Sequence, residues 1–311
     1  MARSTSLVAR RLSRSQQPSR QGVWRGARLL LASPGARFGI GVLVVVALCA
    51  IVPGRLAPAD PNEQNLLSRF TPPLSRAPFG GFAVLGTDQL GRDILSRLIY
   101  GARTSVLIGL SAVLLAGLLG TSLGLLAGVQ GNVADQVIMR LADMQFAFPF
   151  VLLAITIIGV LGQSIRNIIV IVALSNWVAY ARLARAETLA AREKAYVEAA
   201  RAMGMSTAGI TWRHIFPNVS ASLIVVATFG IAGAILMEAG LSFLGLGVPL
   251  GTPDWGAMLA EGRRFVDTRY WLALFPGAAV FLTVLAINLL GDALRDAIDP
   301  YLRNRAALKE L

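Results

Sequence analysis

Charged residues divide the chain into long uncharged stretches, and these stretches predict helices that cross a membrane. A helix rises about 1.5 Å per residue, so roughly 20 apolar residues span the roughly 30 Å hydrocarbon core of a bilayer. Lipid offers no hydrogen-bond partner to open backbone, which makes helices the expected form. Six such stretches predict six transmembrane helices, at residues 38–54, 104–134, 144–165, 167–181, 215–237 and 270–291.

The composition also indicates a membrane protein. Of the 311 residues, 55% are hydrophobic and 15% are charged, whereas soluble domains carry about 25% charged residues. The net charge is +12, and residues 1–37 hold eight arginines and no acidic residue. The rest of the chain therefore carries 12 − 8 = +4. Because the basic charge is confined to one end, it does not predict binding to nucleic acid.

Several kinds of chemistry lack the residues that they need. A single cysteine, Cys49, excludes an internal disulfide framework, and a single histidine, His214, excludes a multi-histidine metal site. The only lysines are Lys194 and Lys309, and neither follows a glycine. The phosphate-binding loop G-x-x-x-x-G-K-[ST] is therefore absent. We expect no bound metal, no catalytic residue and no nucleotide site in this chain.

The arginine-rich end also predicts an orientation. Positive residues beside the first span stay in the cytoplasm, and an even number of spans places the C-terminus there too. The alternative for residues 1–59 is a cleaved signal peptide ending at Ala57-Pro58-Ala59. The predicted organisation is a basic cytoplasmic tail at 1–37, a first transmembrane helix at 38–56, a periplasmic loop with an interfacial helix at 57–103, a five-helix core at 104–300 that includes a cytoplasmic loop at 182–217, and a cytoplasmic tail at 301–311.

The charged loop at 182–217 predicts two short helices. Residues 187–203 suit an amphipathic helix, and Gly204 suits its left-handed end. Ser206 is a candidate N-cap for a second helix, which we expect Pro217 to break. Two interpretations remain open: a helix pair that docks in a groove of a partner, or a helix pair that lies on lipid or serves as a solvated linker.

A motif in this loop resembles a known family. Glu198, Ala199 and Ala200 are followed by Gly204 and, at the expected distance, by Pro217. This pattern is similar to the E-A-A loop of permeases from ATP-binding-cassette (ABC) importers, in which the loop forms a coupling helix seated in a cleft of the ATPase subunit. Phe216 departs from the leucine usual in that family. The resemblance implies ATPase-coupling roles for Glu198, Ala199, Ala200, Gly204, Met205, Ser206 and Pro217.

Further segments resemble the dipeptide, oligopeptide and nickel branch of these permeases. They are residues 86–93, which read GTDQLGRD, residues 241–247, which read LSFLGLG, and the segment from Asn288 to Pro300. The match covers nearly all of residues 38–300. The resemblance and the position of these segments outside the predicted spans suggest external-loop and gate candidates at Gly86, Thr87, Asp88, Gly91, Arg92, Asp93, Glu238 and Trp255.

The resemblance implies an all-α integral membrane protein with the type I ABC-importer permease (MetI-like) fold, in the bacterial inner membrane. It implies half of a translocation pathway for peptides or a related small solute such as nickel. The implied partners are two ABC ATPase subunits that use ATP and Mg, a second related permease, an extracytoplasmic solute-binding protein and membrane lipid. The alternatives are an ion-gradient-driven secondary transporter, which needs more intramembrane ionisable groups, and a membrane-embedded hydrolase, which lacks candidate catalytic groups.

A stripe of small residues recurs every four positions in the second span, and we call it the glycine stripe: Ala116, Gly120, Gly124 and Gly128. Such spacing allows close helix packing. The stripe fits packing within the chain, with a seam to a second permease as the alternative.

Three acidic residues have a structural and a functional interpretation. Asp88 and Asp93 suit a helix cap better than a calcium loop, since the ligand spacing of a calcium loop is absent. Asp88 or Asp93 is expected to cap an interfacial helix. Glu238 is either a carboxyl bonded to protein near a helix end or a group lining the pathway.

Overall fold

The computed structural model describes residues 33–78 and 81–298. The predictions for most of the basic tail and for the C-terminal tail at 301–311 lie outside these ranges. The described helices are α1 Pro34–Ile51, α2 Pro53–Leu56, α3 Ile94–Gln130, α4 Asn132–Ala147, α5 Phe150–Leu161, α6 Ile165–Arg192, α7 Ala195–Ala202, α8 Thr207–Ile210, α9 Phe216–Phe243, α10 Trp255–Gly262 and α11 Trp271–Ile298. A two-stranded antiparallel hairpin pairs β1, Ser75–Arg76, with β2, Phe82–Ala83.

Most of the described chain is a bundle of long apolar helices. Five helical segments have the length and hydropathy to cross a membrane, and the bent pair α4–α5 makes a sixth crossing if it counts as one span. The five are α1, α3, α6, α11 and the continuous segment Thr207–Phe243. The coarse expectation of an apolar helical bundle is therefore confirmed.

One predicted span is not a single helix. The stretch at 144–165 was expected to be one transmembrane helix, but α4 ends at Ala147 and α5 begins at Phe150 with a bend of 90° between them. Pro149 explains the break, because proline lacks an N–H donor and disfavours helical backbone in the residue before it. Phe148 accordingly has extended backbone, with φ −91° and ψ 123°.

The expected interfacial helix is not separate from the second span. Asp93 caps α3 by accepting a hydrogen bond from the Ser96 amide at 2.7 Å, so the helix starts ten residues before the uncharged run. Its first apolar side chains do not face headgroups, since Ile94 is buried against Met258 and Trp271. Residues 94–103 therefore belong to the bundle and not to the loop.

The loop at 182–217 also differs from expectation. Helix α6 continues to Arg192, and extended backbone at Lys194 separates it from α7, so the expected single helix at 187–203 is two. The break lets α7 pack Val197 against the bundle core. Pro217 does not end a helix: a π-helical turn at Thr211–Ile215 leads directly into α9, with Pro217 in the first turn, where its missing N–H does least harm.

The bundle has two distinct ends. Residues 57–78, residues 81–93 and α10 lie together at one end, which we call the cap end, and α7 and α8 lie at the other, which we call the loop end. Helix α1 begins near the loop end, where a Cβ on Gly35 would lie 3.3 Å from Leu289 of α11. Both described termini are therefore at the same end as α7 and α8.

Candidate functional site

The two-helix segment, residues 194–210, ends its first helix with a glycine cap. Gly204 has φ +79°, and its amide donates to the Arg201 carbonyl at 3.0 Å. The Met205 amide donates to the Ala200 carbonyl at 3.1 Å. These two bonds form the Schellman motif, which satisfies helix-end carbonyls and favours glycine in the left-handed conformation. The chain therefore turns sharply at Gly204.

The second helix of this segment starts at the residue expected from the sequence. The Ser206 side chain accepts a hydrogen bond from the Gly209 amide at 3.2 Å, which satisfies an otherwise unpaired N–H of the first turn. Ile210 then anchors the short helix in the bundle core. Local hydrogen bonds at Gly204, before Met205, and at Ser206, after it, thus form the turn between the two helices.

The surface of the two-helix segment is mostly exposed and carries both charges. Glu198, Ala199, Arg201 and Ala202 are exposed, and Met203 is 77% exposed. Ala200 is buried and supports the surface from below. Among the described residues, no ion pair joins Glu198 to Lys194 or to Arg201. These charged side chains are consequently available to a partner.

Polar contacts fasten the segment to the transmembrane helices. Asn218 Nδ2 of α9 donates to the Tyr196 hydroxyl at 3.2 Å and to the His214 carbonyl at 2.6 Å. Arg192 Nη1 at the end of α6 donates to the Gly128 carbonyl of α3 at 2.6 Å. The segment is therefore bonded to α9, and α6, from which it continues, is bonded to α3 just before the segment begins.

At the cap end, three buried charged side chains and one partly exposed one form a network that we call the cap cluster: Asp88, Arg92 and Arg97, with Glu261 partly exposed. Arg97 Nη1 lies 2.6 Å from Asp88 Oδ2 and 2.8 Å from Glu261 Oε2. Arg92 Nε lies 2.7 Å from Asp88 Oδ2, and Arg92 Nη2 lies 2.8 Å from Glu261 Oε2. The cluster joins the segment before α3, the start of α3 and the end of α10.

Three further candidates from the sequence, Gly86, Thr87 and Gly91, shape the backbone of residues 86–93. Gly86 and Gly91 have φ +85° and +74°, and a Cβ on Gly91 would lie 1.8 Å from the Asn65 carbonyl oxygen. Thr87 Oγ1 donates to the Ser68 carbonyl at 2.5 Å. Within residues 33–78 and 81–298, no three acidic, histidine or cysteine side chains gather as a metal site requires. Residues 86–93 are thus a folded connector.

The remaining two candidates at the cap end also bond to protein. Glu238 is fully buried, and its Oε1 accepts a hydrogen bond from Ser242 Oγ at 2.8 Å. Trp255 is buried, and its indole Nε1 donates to the Leu98 carbonyl at 3.0 Å. Of the two interpretations of Glu238, the structure has the carboxyl bonded to protein near a helix end.

The glycine stripe faces α6 of the same chain. A Cβ on Gly120 would lie 2.2 Å from the Trp177 carbonyl oxygen, and one on Gly124 would lie 2.3 Å from the Ala181 carbonyl oxygen. Contacts this short leave no room for any side chain. The stripe therefore packs α3 on α6 at backbone contact, and this face is filled within the chain.

Comparison with known proteins places the chain in a family. Residues 120–304 match the model of the binding-protein-dependent transport system inner membrane component. Residues 21–73 match the N-terminal transmembrane domain of oligopeptide transport permease C. The chain belongs to this permease family. It is thus a multi-pass permease subunit of the bacterial inner membrane, a class of protein that works with ATPase subunits and a solute-binding protein.

Curated relatives are similar over almost the whole permease. The di/tripeptide transport permease DppC of Pseudomonas aeruginosa is 45% identical over 274 residues, which cover 88% of this chain and 90% of that one. The dipeptide transport permease DppC of Haemophilus influenzae is 42% identical, with 86% and 91% covered. The glutathione transport permease GsiD of Pectobacterium atrosepticum is 42% identical, with 90% and 91% covered.

A solved structure shares the fold at low sequence identity. One chain of the inward-facing MetNI methionine ABC transporter superposes with a TM-score of 0.55 and 16% identity, covering 66% of the permease and 98% of that chain. The bundle is therefore similar to a MetI-like permease in fold.

The cap cluster gives the permease an acid-sensitive component of stability. Burial raises the pKa of Glu261, but the hydrogen bond and charge of Arg97 and the charge of Arg92 outweigh it, so the pKa lies below the usual 4.5. The folded state favours the carboxylate, so this stabilisation is present at neutral pH and is lost as pH falls through the lowered pKa. We expect Glu261→Gln to lower the melting temperature at pH 7 and to flatten its fall below about pH 4.5.

Thermal unfolding of the purified permease across the acidic range tests this expectation. Glu63→Gln is the control, because Glu63 is an exposed carboxyl of the same end and its neutralisation removes a charge without breaking the cap cluster. Equal acid sensitivity in wild type and Glu261→Gln would contradict the stabilising role of the cluster.

Sequence reasoning missed two members of the cap cluster and the partner of Glu238. Arg97 is a charge within the apolar start of α3, which is a signal of a buried ion pair. Glu261 lies 164 positions after Arg97, and Asp254 lies 149 positions after Ser105, so neither gave a local signal. Only the fold brings these side chains together.

Proposed function

We propose that this permease forms half of the translocation pathway of an ABC importer for peptides. The observation that carries the proposal is the similarity over nearly nine-tenths of the chain to permeases named for di- and tripeptide transport. Glutathione, named for another relative, is also a peptide. A small metal ion such as nickel remains the related alternative cargo.

We further propose six membrane crossings, with α4 and α5 together as a bent crossing and both termini in the cytoplasm. Supporting this, the start of α1, the end of α11 and the two-helix segment lie at one end of the bundle. The arginines of residues 1–37 favour the cytoplasm for that end. The cap end then faces the periplasm, where it meets the solute-binding protein.

In this proposal, two ATPase subunits bind the two-helix segments of this permease and of a second, related permease. Exposed Glu198, Ala199 and Ser206 contact the ATPase, whereas buried Ala200 and the turn at Gly204 hold the contact surface in shape. The ATPases bind ATP and Mg, and this chain binds neither. Their closure moves the two-helix segment, and its contacts with α3, α6 and α9 transmit the motion to the pathway.

Site-specific cross-linking tests the orientation and the ATPase contact together. In a Cys49→Ala background, Ala199→Cys is expected to cross-link to the ATPase and to react with thiol reagents only from the cytoplasm. Leu250→Cys, which is fully exposed near the cap end, is the matched control and is expected to react from the periplasm and not to reach the ATPase.

Two results would contradict the proposal. One is reaction of Ala199→Cys from the periplasmic side, which reverses the orientation. The other is peptide uptake by reconstituted permease without ATPase subunits, driven by an ion gradient, which favours a secondary transporter.

A further inference from the structure

Two carboxyl groups lie side by side at the cap end, away from the cap cluster. Glu238 is near the end of α9, and Asp254 is the residue before α10. Both residues are 0% exposed, as is Ser105 of α3, which lies between them. Buried carboxyl groups need either counter-charges or hydrogen-bond donors, since isolated buried charges are very costly.

Counter-charges are missing among the groups that face this pair. Helix α3 supplies Ser105, α9 supplies Ser242, and the start of α10 supplies the Ala257 amide. Among the described residues, no ion pair includes Glu238 or Asp254. Within the described part of the chain, the charged group that acts on Glu238 is Asp254, which has the same sign. Two like charges at such a site cannot both be ionised at a tolerable cost.

The hydrogen bonds show where one proton is needed. Ser105 Oγ lies 3.1 Å from Asp254 Oδ1 and 3.3 Å from Glu238 Oε2. A hydroxyl has one hydrogen to donate, so it donates to one carboxyl and accepts from the other. Because both contacts are within hydrogen-bond distance, one of the two carboxyl groups must itself carry a proton.

The surroundings decide which carboxyl carries it. Asp254 Oδ2 accepts a hydrogen bond from the Ala257 amide at 2.9 Å, as the N-cap of α10. A helix N-terminus favours negative charge, so Asp254 is the carboxylate. Glu238 accepts from Ser242 through Oε1, which leaves Oε2 to carry the proton and donate it to Ser105.

We propose that Glu238 is held as a neutral carboxylic acid, and that its proton, relayed through Ser105 to Asp254, ties the start of α10 to α9 and α3. Glu238 is therefore a positioning residue of the cap end. Deprotonation places two bare carboxylates side by side and breaks the relay. The consequence is a cap that loses stability as pH rises.

Amide substitution distinguishes this arrangement from an ordinary charged site. Glutamine has the shape of a protonated glutamic acid and donates a hydrogen bond, so Glu238→Gln is expected to keep the relay. Glu261→Gln is the contrast, because Glu261 is a carboxylate paired with two arginines and loses its bonds on neutralisation. We expect Glu238→Gln to melt no lower than wild type at pH 7, and Glu261→Gln to melt lower.

The pH dependence of the melting temperature distinguishes a protonated Glu238 from a side chain that only fills space. The folded state holds the Glu238 proton more tightly than the unfolded chain does, so rising pH favours unfolding. Wild-type permease, purified from membranes as the full chain, is expected to melt at lower temperature as pH rises above about 4.3, the ordinary pKa of glutamate. The melting temperature of Glu238→Gln is expected not to show this contribution to the decrease with pH. Equal alkaline slopes would overturn the proposal.

A serine pair tests the relay itself. Ser105→Ala removes the shared hydroxyl and is expected to lower the melting temperature. Ser122→Ala, on the same helix, is the matched control, because Ser122 is exposed and bonds only to carbonyls of its own helix. Equal effects of the two substitutions would contradict the relay.

Uptake measurements rest on the proposed peptide import and give a second comparison. Glu238→Gln is expected to transport within about twofold of wild type, and Glu238→Ala to lose roughly tenfold or more, because it leaves the Asp254 charge without its relay. Equal losses in both variants would overturn the proposal. If wild type imports no peptide, the proposed function fails, while the melting profiles still decide the protonation of Glu238.

Discussion

Replacing Gly204 with valine is expected to abolish transport while the permease still inserts into the membrane. Gly204 has φ +79° at the turn of the two-helix segment, and nothing lies within 4 Å of a Cβ built there. The effect is therefore one of backbone conformation and not of crowding. A left-handed conformation costs ordinary residues roughly 1–2 kcal/mol, and β-branched valine is among the least suited. The turn would open and displace the docking surface beside it.

Gly204→Asn is the matched control, since asparagine tolerates the left-handed region much better. We expect Gly204→Asn to retain most transport, Gly204→Val to retain none, and both variants to accumulate in the membrane at wild-type levels. Uptake by cells that carry the complete importer measures the first quantity, and immunoblots of membranes measure the second. Normal uptake by Gly204→Val would show that this turn is not needed for coupling.

Replacing Gly120 with alanine is expected to destabilise the fold strongly. The added Cβ would lie 2.2 Å from the Trp177 carbonyl oxygen and 2.7 Å from the Tyr180 Cβ. Backbone atoms cannot move aside as a flexible side chain does, so α3 and α6 must separate. Overpacking of this kind costs about 1–3 kcal/mol or more, and the double change with Gly124→Ala is expected to cost more than either alone.

Gly117→Ala, one turn earlier on the same helix, is the control for this prediction. Its Cβ would make an ordinary contact of 3.8 Å with the Tyr180 ring, so we expect near wild-type stability. The melting temperature and the yield of purified protein measure the difference. Similar losses at Gly117 and Gly120 would contradict the close-packing explanation, since alanine by itself favours a helix more than glycine does.

Much of the bundle could be predicted from local sequence signals. Uncharged runs indicated the long helices, and Gly204 and Ser206 indicated the turn between α7 and α8. These signals work because a lipid-spanning helix, a left-handed glycine and an N-cap each depend on residues close in sequence. The Pro149 break was missed because charge-based segmentation ignores a proline within an uncharged run.

Other features depend on distant contacts that no local signal reports. The residues around Lys194 are ordinary helix formers, so the break between α6 and α7 comes from packing of Val197 on the bundle core. Arg97 and Glu261 lie 164 positions apart, and Ser105 meets Asp254 across 149 positions. The sequence shows individual polar residues, but which distant residue each one contacts depends on the fold.

The segment Thr207–Phe243 has a consequence for where the ATPase contact can stand. Its 37 residues form a rod of about 55 Å, whereas the hydrocarbon core of a bilayer is only about 30 Å thick. The rod is therefore about 25 Å longer than the hydrocarbon core is thick, and the excess extends beyond that core. In the proposed orientation, a rod of this length can carry the two-helix segment beyond the lipid surface, where an ATPase subunit has access to more than one side of it.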